Sequence, residues 1–291
     1  MKQSYRVVVS LSLVLGMSIL TGQSSLGYAK PNGGFITDYP VVKNPEHEIW
    51  RSTLKNNNFL EQIANVLNQL VAIPGVVTIE ARECGQVNAF YRPGSGPLAE
   101  LVMCYELLDD FQQVFSPYYP DSKLRGQMIM GAWMFVFMHE LGHALANQLD
   151  LPISGKEEDA VDQLSTLILT NVGASGETAV MAGAQWFRLG SARYRASGPA
   201  WLQNVFGNEH YNFSDEHSIS EQRFYNLLCW EYGYNPEALA GAVKDGTLPA
   251  ERAQRCGHEY RQIVRTWEQL LAPHAKTKPP LFKSVNNVSA N

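Results

Sequence analysis

The stretch "FMHELGHALANQ" at residues 137–148 places two histidines four apart, with a glutamate directly after the first. On a helix this spacing puts His139 and His143 one turn apart on the same face, so both rings can reach one metal ion. Glu140 sits beside them, where it can take a proton from a metal-bound water. Zinc suits that chemistry, because it polarises a carbonyl and lowers the pKa of its water towards neutrality. Gly142 keeps the helix narrow, so another backbone or a substrate can approach. The plainer alternative is a buried helix with two hydrogen-bonded histidines. Against it, two histidines and a glutamate inside so apolar a helix are costly unless they are paired or metal-bound.

A third ligand is expected from "GKEEDAVDQLSTLIL". Glu158 and Asp162 lie four apart on a helix whose other face, Val161, Leu164, Leu167 and Ile168, is apolar. One carboxylate can bind the metal while the other orients a ligand histidine through its free ring N–H. Glu157 and Asp159 fit a different role, acidic residues favoured by the dipole in a first helical turn.

HELGH followed by an E-x-x-x-D helix resembles the gluzincin, or thermolysin-like, branch of the zinc metallopeptidases. The resemblance implies one zinc ion held by His139, His143 and Glu158, Glu140 as general base and Asp162 supporting a histidine. Glu158 lies 15 positions after His143, a tighter gap than is usual in that branch, which leaves Glu157 as an alternative ligand. Metzincins need a further histidine close behind the helix, and residues 144–154 contain none. Upstream, "NAFY" (Asn88, Ala89, Phe90, Tyr91) is similar to the edge strand on which thermolysin-like enzymes hold peptide by main-chain hydrogen bonds. Downstream, "DEHSISEQRFYN" offers His217, Arg223 and Tyr225. The resemblance implies a histidine and a tyrosine as oxyanion donors, with His217 the first choice for the catalytic role and Arg223 and Tyr225 as substrate contacts. With "CGQVNAFY", "CYEL", "HELGHAL", "EEDAVDQ" and "HSISEQRFYNLLCW", most of the mature chain resembles a family of bacterial metallopeptidases.

The elements that must position these residues are mainly helical. A helical repeat covers 57–72, and "GVVTIEA" at 75–81 has strand composition. Val87–Arg92 and Leu98–Tyr105 read as two strands around "PGSG". The expected sheet is small and antiparallel. From residue 124 the signal is almost wholly helical: one long helix apolar on nearly all sides, then helices at 156–171, 176–189, 218–232 and 249–271. A helix apolar all round is buried, and His139 and Glu140 interrupt its apolar run before it could span a membrane. The fold class is therefore α+β, mostly helical, with the sheet packed on the HExxH helix and a C-terminal helical region.

The first 29 residues read as a signal peptide, with Lys2 and Arg6, then an apolar stretch, then cleavage near Ala29. A periplasmic or extracellular mature protein follows, with no stable membrane span. Residues 30–273 form one domain, its sheet-bearing part about 30–123 and its helical part about 124–273. Residues 30–45, rich in Gly, Pro and Asn, read as an arm, and 274–291 as a disordered tail. Four cysteines in an exported chain imply disulfides, with three pairings possible. Cys84 and Cys104 flank the hairpin and Cys229 and Cys256 lie in neighbouring helical segments, which favours Cys84–Cys104 and Cys229–Cys256.

A net charge of -5 with no basic block gives no support for nucleic-acid binding. The expected partner is a peptide or protein substrate, with oligomeric state left open. The rival reading is a non-catalytic peptide- or partner-binding protein stabilised by zinc. Structural zinc closes all four positions with protein ligands, whereas a catalytic site leaves one to water. Three good ligands favour catalysis. His217 or Asp162 as a fourth would reverse that.

Overall fold

The computed structural model describes residues 33–94, 98–197, 218 and 220–282. Strand β1 (Gly34–Asp38) leads into α1 (Pro45–Asn56) and α2 (Phe59–Leu70), then β2 (Val76–Arg82), β3 (Ala89–Arg92) and β4 (Leu98–Cys104). The helices α3 (Tyr105–Phe115), α4 (Ser122–Gln148), α5 (Glu157–Val172) and α6 (Ala174–Ser197) follow. After them come α7 (Ser220–Tyr234), the short α8 (Ala240–Lys244) and α9 (Ala250–Leu271). The α+β, mostly helical class holds.

The sheet is mixed, where an antiparallel one was expected. Its order is β1-β2-β4-β3; β1, β2 and β4 run parallel and only β3 is antiparallel to β4. The connections decide this. Two helices carry the chain from β1 back to the start of β2, the crossover that parallel pairing requires. From β2 the chain passes to the far side of β4, lays down β3, and turns back to form β4 alongside β2. The arm expected at 30–45 contains β1, whose Phe35 is buried and pairs at its outer edge with the Asn68 side chain (2.8 Å in both directions). Helix α1 begins at Asn44, whose side chain accepts from the Glu46 amide, and it buries Trp50 and Leu54.

Helix α4 starts on Asp121, which accepts the Leu124 amide, and is buried along almost its whole length. Its uniform apolarity follows from its neighbours: α3, α5 and α6 pack around it and β3 lies along its C-terminal part. Opposite Gly142, α5 comes so close that an added Cβ would lie 2.7 Å from Val161 Cβ. That approach brings the acidic start of α5 against the histidines. Helix α5 ends at Gly173, which takes φ +94°, a conformation that favours glycine.

Both expected disulfides are present. Cys84–Cys104 ties the β2–β3 connection to the end of β4, and Cys229–Cys256 joins α7 to α9. The expected disordered tail begins as packed chain: Ala72 N donates to His274 O, Lys276 N to Leu70 O, and Phe282 is buried. Residues 283–291, residues 1–29 that read as a signal peptide, residues 95–97 and His217 lie outside the described residues. No described helix is long and apolar enough to cross a membrane.

Candidate metal centre

His139 and His143 project from one face of α4 with ring centroids 5.0 Å apart. Glu158, in the first turn of α5, reaches both of them. Its Oε2 lies 3.1 Å from His139 Nε2 and its Oε1 3.3 Å from His143 Nε2. The donor atoms of the three residues all lie within 4.8 Å of one another. Of the two candidates for third ligand, Glu158 therefore faces the inner nitrogens. Glu157 turns the other way and accepts from His143 Nδ1 at 2.7 Å.

The outer nitrogen of His139 is equally occupied. Asp162 Oδ1 lies 2.8 Å from His139 Nδ1, four residues beyond Glu158 on the same helical face. Arg223 then grips Asp162 from α7, with Nε donating to Oδ2 and Nη2 to Oδ1, both at 2.7 Å. The Arg223 guanidinium also lies over the Phe187 ring, 4.0 Å from its centroid. This bidentate pair is nearly buried, with side-chain exposures of 11% for Arg223 and 3% for Asp162. Arg223, expected as a substrate contact, makes these hydrogen bonds to the Asp162 carboxylate, which itself meets His139 Nδ1.

The titration behaviour follows from these contacts. Burial alone would raise the Asp162 pKa, but Arg223 and then His139 hold it down to about 2. Burial would lower the His143 pKa, yet Glu158 and Glu157 raise it to about 9. His139 is likewise raised, Asp162 and Glu158 overcoming its burial. Glu140 is raised by burial first, an effect that His139 and His143 oppose.

Glu140 faces the sheet. Its Oε2 accepts the backbone N–H of Tyr91, in edge strand β3, at 2.8 Å. Asn88 turns its carbonyl the other way, to the Cys104 amide at 3.2 Å. Backbone direction alternates along a strand, so Ala89 and Tyr91 present their peptide groups to the metal side and Phe90 presents its own to β4. The Tyr91 side chain is pinned at the end of α4: its hydroxyl donates to Asn147 Oδ1 (2.7 Å) and accepts from Gln148 Nε2 (3.2 Å). The Asn-Ala-Phe-Tyr stretch thus lies beside the candidate base.

Tyr225 is 40% exposed on α7 and its ring packs against Phe224. Ser218 Oγ donates to Asp159 Oδ1 at 2.6 Å, which ties the segment before α7 to the first turn of α5. Sequence reasoning missed Asn147, Gln148 and Phe187, and it took Glu157 for an alternative ligand rather than a partner of His143 Nδ1. Only Glu157 carried a signal, as one of three consecutive acids, and a first-turn acid has a ready explanation in the helix dipole.

These donors fit a divalent metal. With each Nδ1 proton given to a carboxylate, both Nε2 lone pairs converge with a Glu158 oxygen, a nitrogen–oxygen set suited to zinc and its neighbours. Residues 39–271 of the chain match the model of a family, DUF4344, whose description reads "Putative metallopeptidase". The chain belongs to that family. No curated protein and no solved structure matched it. Family membership implies a metal ion, and His139, His143 and Glu158 are the residues that could bind it.

Proposed function

We propose that this member of the family is an exported peptidase with one zinc ion, held by His139, His143 and Glu158. The carrying observation is the convergence of those three side chains beside a buried carboxylate that is itself tied to an edge strand. When bound, zinc supplies Lewis acidity, polarising a peptide carbonyl and making water a better acid. Glu140 is the general base. Its Oε2 is fixed by the Tyr91 amide, so Oε1 accepts the proton of the attacking water. Burial raises the proton affinity of that carboxyl, which suits it to pass the proton on to the leaving amine. A substrate peptide lies along the outer edge of β3, where the Ala89 carbonyl faces the metal side; the Tyr91 amide is already taken. His217 is the proposed oxyanion donor, its neighbour Ser218 being anchored beside Glu158 through Asp159, and Tyr225, exposed on α7, is a proposed substrate contact.

The rival non-catalytic reading needs a fourth protein ligand. Asp162 is turned to the outer nitrogen of His139 and to Arg223, so it does not supply one. Export is supported by the N-terminal leader and by two disulfides, which persist in oxidising compartments. The test is hydrolysis of a mixed peptide library by the purified mature protein. Activity should vanish with chelator, return with stoichiometric zinc, and be absent from His143→Ala at any zinc level. Cleavage that survives complete metal removal would rule the reading out.

A further inference from the structure

The two histidines are backed by carboxylates of very different character. Asp162, behind His139, is buried and held by Arg223 in two hydrogen bonds. Glu157, behind His143, has a side chain 49% exposed, and it reaches across from the first residue of α5 to the ring 14 positions earlier. An acid at that place has an obvious alternative use, interaction with the unpaired amides of the helix start. Instead its Oε1 sits 2.7 Å from His143 Nδ1, shorter than the 3.3 Å between His143 Nε2 and Glu158. The His143 ring therefore stands between two consecutive glutamates, one on each nitrogen. The hexapeptide Glu157–Asp162 supplies the candidate ligand and both backing carboxylates from less than two helical turns.

We propose that Glu157 is a positioning residue: it accepts the Nδ1 proton of His143 and so holds the ring in the tautomer and orientation that direct Nε2 to the metal. The inference rests on the reading of His139, His143 and Glu158 as a metal site. A carboxylate in this place makes the imidazole a stronger donor, and its removal weakens metal sites by roughly 10–100-fold. The half-exposed position makes the substitution tolerable to the fold.

The experiment measures zinc affinity of the full mature protein by competition with a chromophoric chelator, together with the Tm of the metal-free protein. Glu157→Ala should weaken zinc binding by about tenfold or more. Glu157→Gln should lose less, because its amide oxygen still accepts the Nδ1 proton. The metal-free Tm should stay within about 2 °C, a shift equivalent to about 0.5–1 kcal/mol for a domain of this size. If Glu157 only complements the helix dipole, the metal-free Tm falls while zinc affinity is unchanged, which overturns the proposal. Equal affinity in wild type and Glu157→Ala overturns it too. His143→Ala separates this failure from that of the site itself: if that variant binds zinc as tightly as wild type, the metal-site reading fails first.

Discussion

Replacing Arg223 with methionine removes the cation from a nearly closed pair while leaving a side chain to cover Phe187. Asp162 then keeps one strong partner, His139, for a carboxylate only 3% exposed. Breaking a buried pair from one side costs about 3–5 kcal/mol, because the remaining charge stays desolvated. With His139 still bound, we expect the lower end, about 3 kcal/mol. Urea unfolding of the chelator-treated protein measures it, as wild type, Arg223→Met, Asp162→Asn and the double variant. The cycle should return a coupling of at least about 2 kcal/mol. The pH dependence gives a second signature. A carboxylate depressed from 3.8 to about 2 contributes stability that is present above pH 3.8 and lost as pH falls through 2. The deficit of Arg223→Met should therefore be full at neutral pH and shrink in acid. Additive single effects, or a deficit under 1 kcal/mol at pH 7, would refute the clamp.

Gly142→Ala would bring its methyl to 2.7–2.8 Å from Val161, pushing α5 away from the histidines. We expect a cost of about 1–3 kcal/mol and weaker zinc binding, read by denaturant unfolding and chelator competition. Glu231 is buried, its Oε2 makes no hydrogen bond, and burial with Glu177 nearby raises its pKa to about 8. Its contribution is full below pH 4.5 and is lost as pH rises through 8, by at most ~1.4 kcal/mol per pH unit. Glu231→Gln should thus gain Tm over wild type steadily between pH 5 and 8, and a flat difference would contradict this. Removing Cys84–Cys104, which closes a loop with a sequence separation of 20, should cost roughly 3 kcal/mol in unfolding free energy. Loss of less than 1 kcal/mol in the double serine variant would show that the loop is held by other contacts.

The core of the candidate site was legible because its logic is local. His139 and His143 share a helical face by spacing alone, and so do Glu158 and Asp162. The cysteine pairing followed from the same kind of neighbourhood. What the sequence concealed depends on direction or distance. Strand pairing in the sheet is decided by where the connections run, and two helices of ordinary composition, α1 and α2, make β1 and β2 parallel. Strand β1 has five residues and shows its burial chiefly through Phe35, next to glycines that suggest a loop. Arg223 stands 61 positions from Asp162, and nothing in its neighbourhood announces the pair. Glu157 was visible as an acid, but residue type cannot distinguish a helix-dipole partner from a hydrogen-bond acceptor for His143.

The most direct test of the account compares wild type with Glu140→Gln for bound metal and for peptide hydrolysis in the same preparations. Glutamine keeps the shape and can still accept the Tyr91 amide, but it cannot take a proton from water. The account predicts about one zinc per chain in both proteins, with hydrolysis reduced by ~10²–10⁴-fold in the variant. Hydrolysis at the wild-type rate by Glu140→Gln would contradict it.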